Sequence, residues 1–85
     1  MAPETVKIED LQALVKSLGP GSRPSEVLAD TDLFAAGILD SLSIVQFVTL
    51  IEKKFSITFN YNDIRFENFR TLELLKTLLQ KSYGL

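Results

Sequence analysis

The chain has 85 residues, a hydrophobic fraction of 46%, a charged fraction of 24% and a net charge of −2, a profile of one small globular domain and not of a disordered segment. It contains neither cysteine nor histidine, which removes disulfides, thiolate or imidazole metal sites, cysteine nucleophiles and the usual imidazole base. The opening Met-Ala-Pro-Glu-Thr has no basic or apolar region of a signal peptide, and the apolar stretch Ile44–Ile51 is too short to span a bilayer. A cytoplasmic domain without membrane insertion is therefore expected.

In chain order, Ile8, Leu11, Leu14, Val15 and Leu18 recur at helical spacing and predict a first helix over Thr5–Leu18, with Thr5 as N-cap and Gly19-Pro20-Gly21 as its stop. A long connection over 19–39 follows, and its apolar residues Val27, Leu28, Leu33, Phe34, Ile38 and Leu39 predict that it packs onto the core. Asp40 is the natural N-cap of a second helix over Ser41–Phe55. Its buried stripe is read as Ile44, Phe47, Leu50 or Ile51, and Phe55, whereas Leu42, Val45 and Thr49 fall on a neighbouring face that is either core or a docking surface. Residues Ser56–Asn60 alternate like a strand but have no strand to pair with, so an extended connector is expected. A short helical turn over Asn62–Phe66 comes next, with Phe66 and Phe69 capping the core. Thr71 then caps a last helix to Ser82, with Leu72, Leu75, Leu78 and Leu79 as its stripe. The expected fold class is all-α: a small four-helix bundle, three main helices plus one short one, with a long loop between helices one and two.

Charge is unevenly spread. Residues 24–52 carry a net −5 with no basic residue, and residues 53–85 carry a net +3. The acidic middle repels nucleic acid, and is either a plain solvated loop or an attraction for a basic partner surface. Lysines and apolar residues interleave at helical spacing in the last third, which argues against nucleic-acid binding there as well.

The informative stretch runs from Asp32 through Gly37-Ile38-Leu39-Asp40-Ser41-Leu42 to Phe47. Ser41 falls at the start of a helix with its hydroxyl outward, where unpaired N–H groups and the positive end of the dipole favour a phosphate. Asp40 opposes that phosphate unless a divalent cation bridges the two during attachment. These residues, in this order of helices, resemble the phosphopantetheine attachment site of acyl and peptidyl carrier proteins, and the resemblance covers nearly the whole chain, 1–85, as a single carrier domain. It implies a non-catalytic carrier. A phosphopantetheinyl transferase would move 4′-phosphopantetheine from coenzyme A, with Mg²⁺, onto Ser41, and Asp40 would guide the transferase and its metal. A loading ligase or acyltransferase would charge the thiol as a thioester for downstream acyl-accepting enzymes. Leu42 and Val45 would form the apolar docking spot, and Gln46 and Thr49 extend that partner surface. Ser43 and Gln46 stand where carriers of fatty-acid synthesis often have carboxylates. The apolar residue before Asp40 leans toward free-standing D-alanyl and other aminoacyl carriers, with a monomer expected; fatty-acid, polyketide and nonribosomal-peptide cargo remain open.

The rival readings differ in what they ask of Ser41. A helical interaction module would dock a partner through Leu42 and Val45 and use Ser41 only as a helix-end hydroxyl. A serine hydrolase would need a base, but Lys53 and Lys54 lie more than three helical turns along the same helix, about 18–20 Å away at 1.5 Å per residue. No glycine-rich phosphate loop supports nucleotide binding.

Overall fold

The computed structural model describes residues 6–18 and 27–85. Helix α1 spans Ile8–Lys16, α2 Ser43–Phe55, α3 Phe66–Phe69 and α4 Leu72–Tyr83, with a 3₁₀ turn at Tyr61–Asp63. No strand occurs among the described residues, so the all-helical expectation holds. Ser56 ends α2 in the left-handed region at φ 56°, and 57–60 form the connector expected there, without strand pairing, pinned where the Phe59 N–H donates to the Glu52 carboxylate at 2.8 Å.

Helix α1 starts later than its periodicity suggests. Its N-cap is Lys7, whose N–H donates to the Asp10 carboxylate at 3.2 Å. Val6 is buried ahead of it, and its N–H donates to the Leu85 carbonyl at 3.0 Å. That pairing with the far end of the chain holds Val6 outside the helix, a constraint that local periodicity does not contain. Thr5 and Gly19-Pro20-Gly21 lie outside the described residues.

α1 packs on α2 and α4, and α3 packs on α4. The helices enclose Leu11, Val15, Ile44, Phe47, Val48, Ile51, Phe55, Phe69, Leu72, Leu75 and Leu79, and among the described residues no polar side chain is buried. Of the two candidates for the α2 stripe, Ile51 is buried and Leu50 only partly so. Leu78, expected in the α4 stripe, packs on the edge of the core.

The described part of the long connection folds down as expected. Val27, Leu33, Ile38 and Leu39 are buried, although Leu28 is half exposed. The Leu33 N–H donates to the Arg70 carbonyl at 2.7 Å and the Glu73 N–H to the Ala29 carbonyl at 3.0 Å, tying the loop to the α3–α4 junction. The Asp32 carboxylate accepts the N–H groups of Phe34 and Ala35. Gly37, at φ +76°, turns the chain so that the N–H groups of Ile38 and Leu39 both reach the Leu33 carbonyl; a side chain there would be strained. This turn delivers Asp40 and Ser41 to the head of α2.

Two sequence expectations fail in the short-helix region. The single turn expected over Asn62–Phe66 is instead two pieces, the 3₁₀ turn at Tyr61–Asp63 and α3, separated by Ile64 and the extended Arg65. The Asn60 side chain caps the first piece through the Asn62 N–H. Phe66 does not cap the core: it is 64% exposed and meets Phe34 edge-on at 4.9 Å. Phe69 takes the interior position instead, near Phe47 and Phe59.

Tyr83 locks this region to α4. Its hydroxyl accepts the Asn60 N–H and donates to the Asp63 carboxylate, both at 2.8 Å, and its ring packs on Phe59. Burial, with the Asp63 charge beside it, raises the Tyr83 pKa above its ordinary value. A raised pKa contributes stability that is complete below the unfolded value of about 10 and is lost as pH rises through the folded value. The expected outcome is a melting temperature that falls more steeply above about pH 10 in the wild type than in Tyr83→Phe. Parallel profiles in thermal melts would refute this coupling.

Candidate functional site

The site is organised by Asp40. Its carbonyl accepts the Ile44 N–H at 3.0 Å, while its carboxylate Oδ1 accepts the N–H groups of Leu42 at 3.0 Å and Ser43 at 2.8 Å. Asp40 thus supplies the capping hydrogen bonds that the sequence suggests, although the residue at the N-cap position of the regular helix is Leu42. The regular helix begins at Ser43 and not at Ser41, because Ser41 and Leu42 form a turn spanned by this carboxylate. The Ser43 N–H, then the Ser43 hydroxyl, hold the Asp40 carboxyl below its usual pKa. Asp40 is thus a fixed negative charge next to Ser41.

Ser41 itself is exposed and stands at the edge of a groove of about 420 Å³ lined by Ile44, Ile64, Arg65, Phe66 and Glu67. Three of these are apolar and two carry opposite charges. None of the four residues from the α3 side is indicated by hydrophobic spacing, since a one-turn helix has no period to read.

Of the expected docking residues, Val45, Gln46 and Thr49 lie on the exposed face of α2 and Leu42 in the turn just before it. Leu42 is 78% and Val45 60% exposed, which removes the core alternative for both. Val45, Gln46 and Thr49 line a second groove of about 430 Å³ with Ser17, Leu18 and Leu50; Leu42 does not line it. Thr49 turns its hydroxyl to the Val45 carbonyl at 3.0 Å, leaving its methyl group as surface. The first turn of α2 has no acidic residue and its last turn carries Lys53 and Lys54. The structure therefore brings Val45, Gln46 and Thr49 together in one groove and sets Ser41 on another.

Among the described residues there is no cluster of acidic groups able to hold a metal ion, and no helix long and apolar enough to cross a membrane. The residues around Ser41 fit a phosphate-linked arm in chemistry: an accessible hydroxyl, a cation in the adjoining wall and an apolar floor.

Comparison with protein families matches residues 9–79 to the phosphopantetheine attachment site family. The chain belongs to that family of carrier proteins, which carry 4′-phosphopantetheine covalently on a serine. Carrier domains of this family are modified by phosphopantetheinyl transferases and are generally non-catalytic. No curated protein and no solved structure matched the chain.

Proposed function

We propose that this chain is a non-catalytic carrier that bears 4′-phosphopantetheine on Ser41 and presents acyl or aminoacyl cargo to partner enzymes. The observation that carries the reading is the position of Ser41: exposed, one residue after the Asp40 cap, at the head of α2 and inside the span shared with the family. In the attachment step the Ser41 Oγ forms a bond to the pantetheine-side phosphorus of the coenzyme A pyrophosphate as the bond from that phosphorus to the bridging oxygen breaks, and 3′,5′-ADP leaves with that oxygen. The hydroxyl proton passes to a base of the transferase. Once attached, the arm supplies the thiol that this cysteine-free chain lacks, and cargo is held there as a thioester.

Asp40 serves in two ways on this reading. It fixes the turn that exposes Ser41, and its charge helps bind the Mg²⁺ of the transferase. The outer α2 face, with Leu42, Val45, Gln46 and Thr49, receives the transferase, the loading ligase or acyltransferase, and the acyl-accepting enzymes. Because the first turn of that face has no acidic residue, apolar contact contributes more to docking than charge. That feature, together with Ile38-Leu39 before Asp40, supports the aminoacyl type of carrier, D-alanyl carriers included.

Intact mass after incubation with coenzyme A, Mg²⁺ and a broad-specificity phosphopantetheinyl transferase tests the proposal. The wild type gains one phosphopantetheine increment and Ser41→Ala gains none. A folded wild type that several transferases leave unmodified would overturn the attachment, leaving a plain helical interaction module.

A further inference from the structure

The exposed face of α2 ends on a cation. At 3.6 residues per turn, Lys53 follows Thr49 by about one turn and Val45 by about two, so the three share a face, and all are exposed. Its neighbours are engaged elsewhere. Lys54 lies over the Phe55 ring, 5.8 Å from the centroid, and Glu52, the one acid of the helix, accepts the Phe59 N–H with its carboxylate. No ion pair with a described residue engages Lys53.

The face thus begins at the Asp40 carboxylate, which caps the turn through the Ser43 N–H. It continues through the exposed apolar Leu42 and Val45 and ends at a positive charge about 15 Å beyond Ser43 at 1.5 Å per residue. Alongside it runs the groove of about 430 Å³ that Val45, Thr49 and Leu50 share with Leu18 from the end of α1. On the carrier reading, on which this inference rests, enzymes that act on the arm dock here. We propose that this groove between α1 and α2 receives an apolar side chain of such an enzyme while Lys53 pairs with a carboxylate beside it, so that the partner surface is apolar and acidic.

The two end charges fix one orientation. A carboxylate is repelled at Asp40 and attracted at Lys53, so the acidic part of the partner lies away from Ser41. A basic surface meets like charge at Lys53 and is disfavoured. Such complementarity sets register and encounter rate more than affinity. An exposed ion pair changes affinity only about two- to fivefold and is screened by salt, and the apolar anchor supplies the rest.

The test titrates ¹⁵N-labelled protein, apo and holo, with two capped amphipathic helical peptides. One is built from leucine, alanine and glutamate, and its twin has lysine in place of every glutamate. The glutamate peptide is expected to shift the amides of Leu18, Val45, Gln46, Thr49, Leu50 and Lys53 and to bind more tightly than its twin. Lys53→Gln weakens it about two- to fivefold, Lys53→Glu reverses the order of the two peptides, and Val45→Ser weakens both. Lys81→Gln, on α4, changes neither, and about 0.5 M salt narrows the gap between the peptides. A lysine peptide that binds the wild type as tightly, no saturable shift with the glutamate peptide, or shifts at Ile64 to Glu67 in place of these would overturn the docking site. Shifts at the groove that follow protein concentration without peptide would assign it to a second copy and overturn the proposal as well. Absence of the phosphopantetheine mass increment would overturn the attachment instead, and the titration of the unmodified protein would still report on the groove.

Discussion

Replacing Phe69 with alanine is expected to cost about 3–5 kcal/mol, the range for deleting a buried aromatic ring. The total stability of an 85-residue domain is about 4–13 kcal/mol at 0.05–0.15 kcal/mol per residue, so this one change removes a large share of it. The reason is local. α3 has only four residues, Phe66–Phe69, far below the length at which a helix holds itself. What keeps it in place is Phe69, fully buried with its ring 6.2 Å from Phe47 and 5.8 Å from Phe59. At about 4–8 °C per kcal/mol, a melting temperature lower by at least about 12 °C should appear in thermal circular dichroism. Phe66→Ala provides the contrast: with its ring 64% exposed, only the edge contact with Phe34 is lost, about 1 kcal/mol. Equal losses for the two variants would mean that both rings face the interior, as their identities alone suggest, and would refute this orientation of α3. Because α3 supplies one wall of the groove beside Ser41, Phe69→Ala should also disturb that wall in whatever fraction remains folded.

The same pair of phenylalanines marks where sequence reasoning stops. In α2, thirteen residues give more than three turns, and periodicity picks out the buried Ile44, Phe47 and Phe55; packing had to decide Leu50 against Ile51, the exposure of Leu42 and Val45, and the burial of Val48, which the stripe did not include. A single turn carries no such information, so nothing local distinguishes Phe66 from Phe69. The start of α1 was hidden for a different reason: the Val6 N–H is satisfied by the Leu85 carbonyl, a pairing across nearly the whole chain. Asp40 and Ser41 were legible because a cap is a local device, read from one short side chain and the N–H groups just after it. The groove beside them was not legible. It sets Ser41 against Arg65 and Phe66, residues linked by topology and by no spacing.

Asp40→Asn separates the two duties assigned to that carboxylate. Asparagine caps helices about as well as aspartate, so the turn that accepts the Leu42 and Ser43 N–H groups should survive, and the melting temperature at neutral pH should stay close to that of the wild type. The negative charge beside Ser41 is lost, however. If that charge helps hold the Mg²⁺ of the transferase, the rate of phosphopantetheine transfer falls about 10-fold or more, the usual scale for a lost metal-orienting carboxylate. Asp40→Ala removes the cap as well, so it should lower both the transfer rate and the melting temperature. Titration distinguishes the variants further. The Asp40 pKa is lowered in the folded state, chiefly by the Ser43 N–H, so its stabilising contribution is complete above the unfolded value of about 3.9 and is lost as pH falls through the lower folded value. Below about pH 4 the wild type should therefore lose stability more steeply than Asp40→Asn, whose cap does not titrate. A transfer rate for Asp40→Asn equal to that of the wild type would make Asp40 a cap and nothing more, and the metal would then have to be held by the transferase and coenzyme A alone.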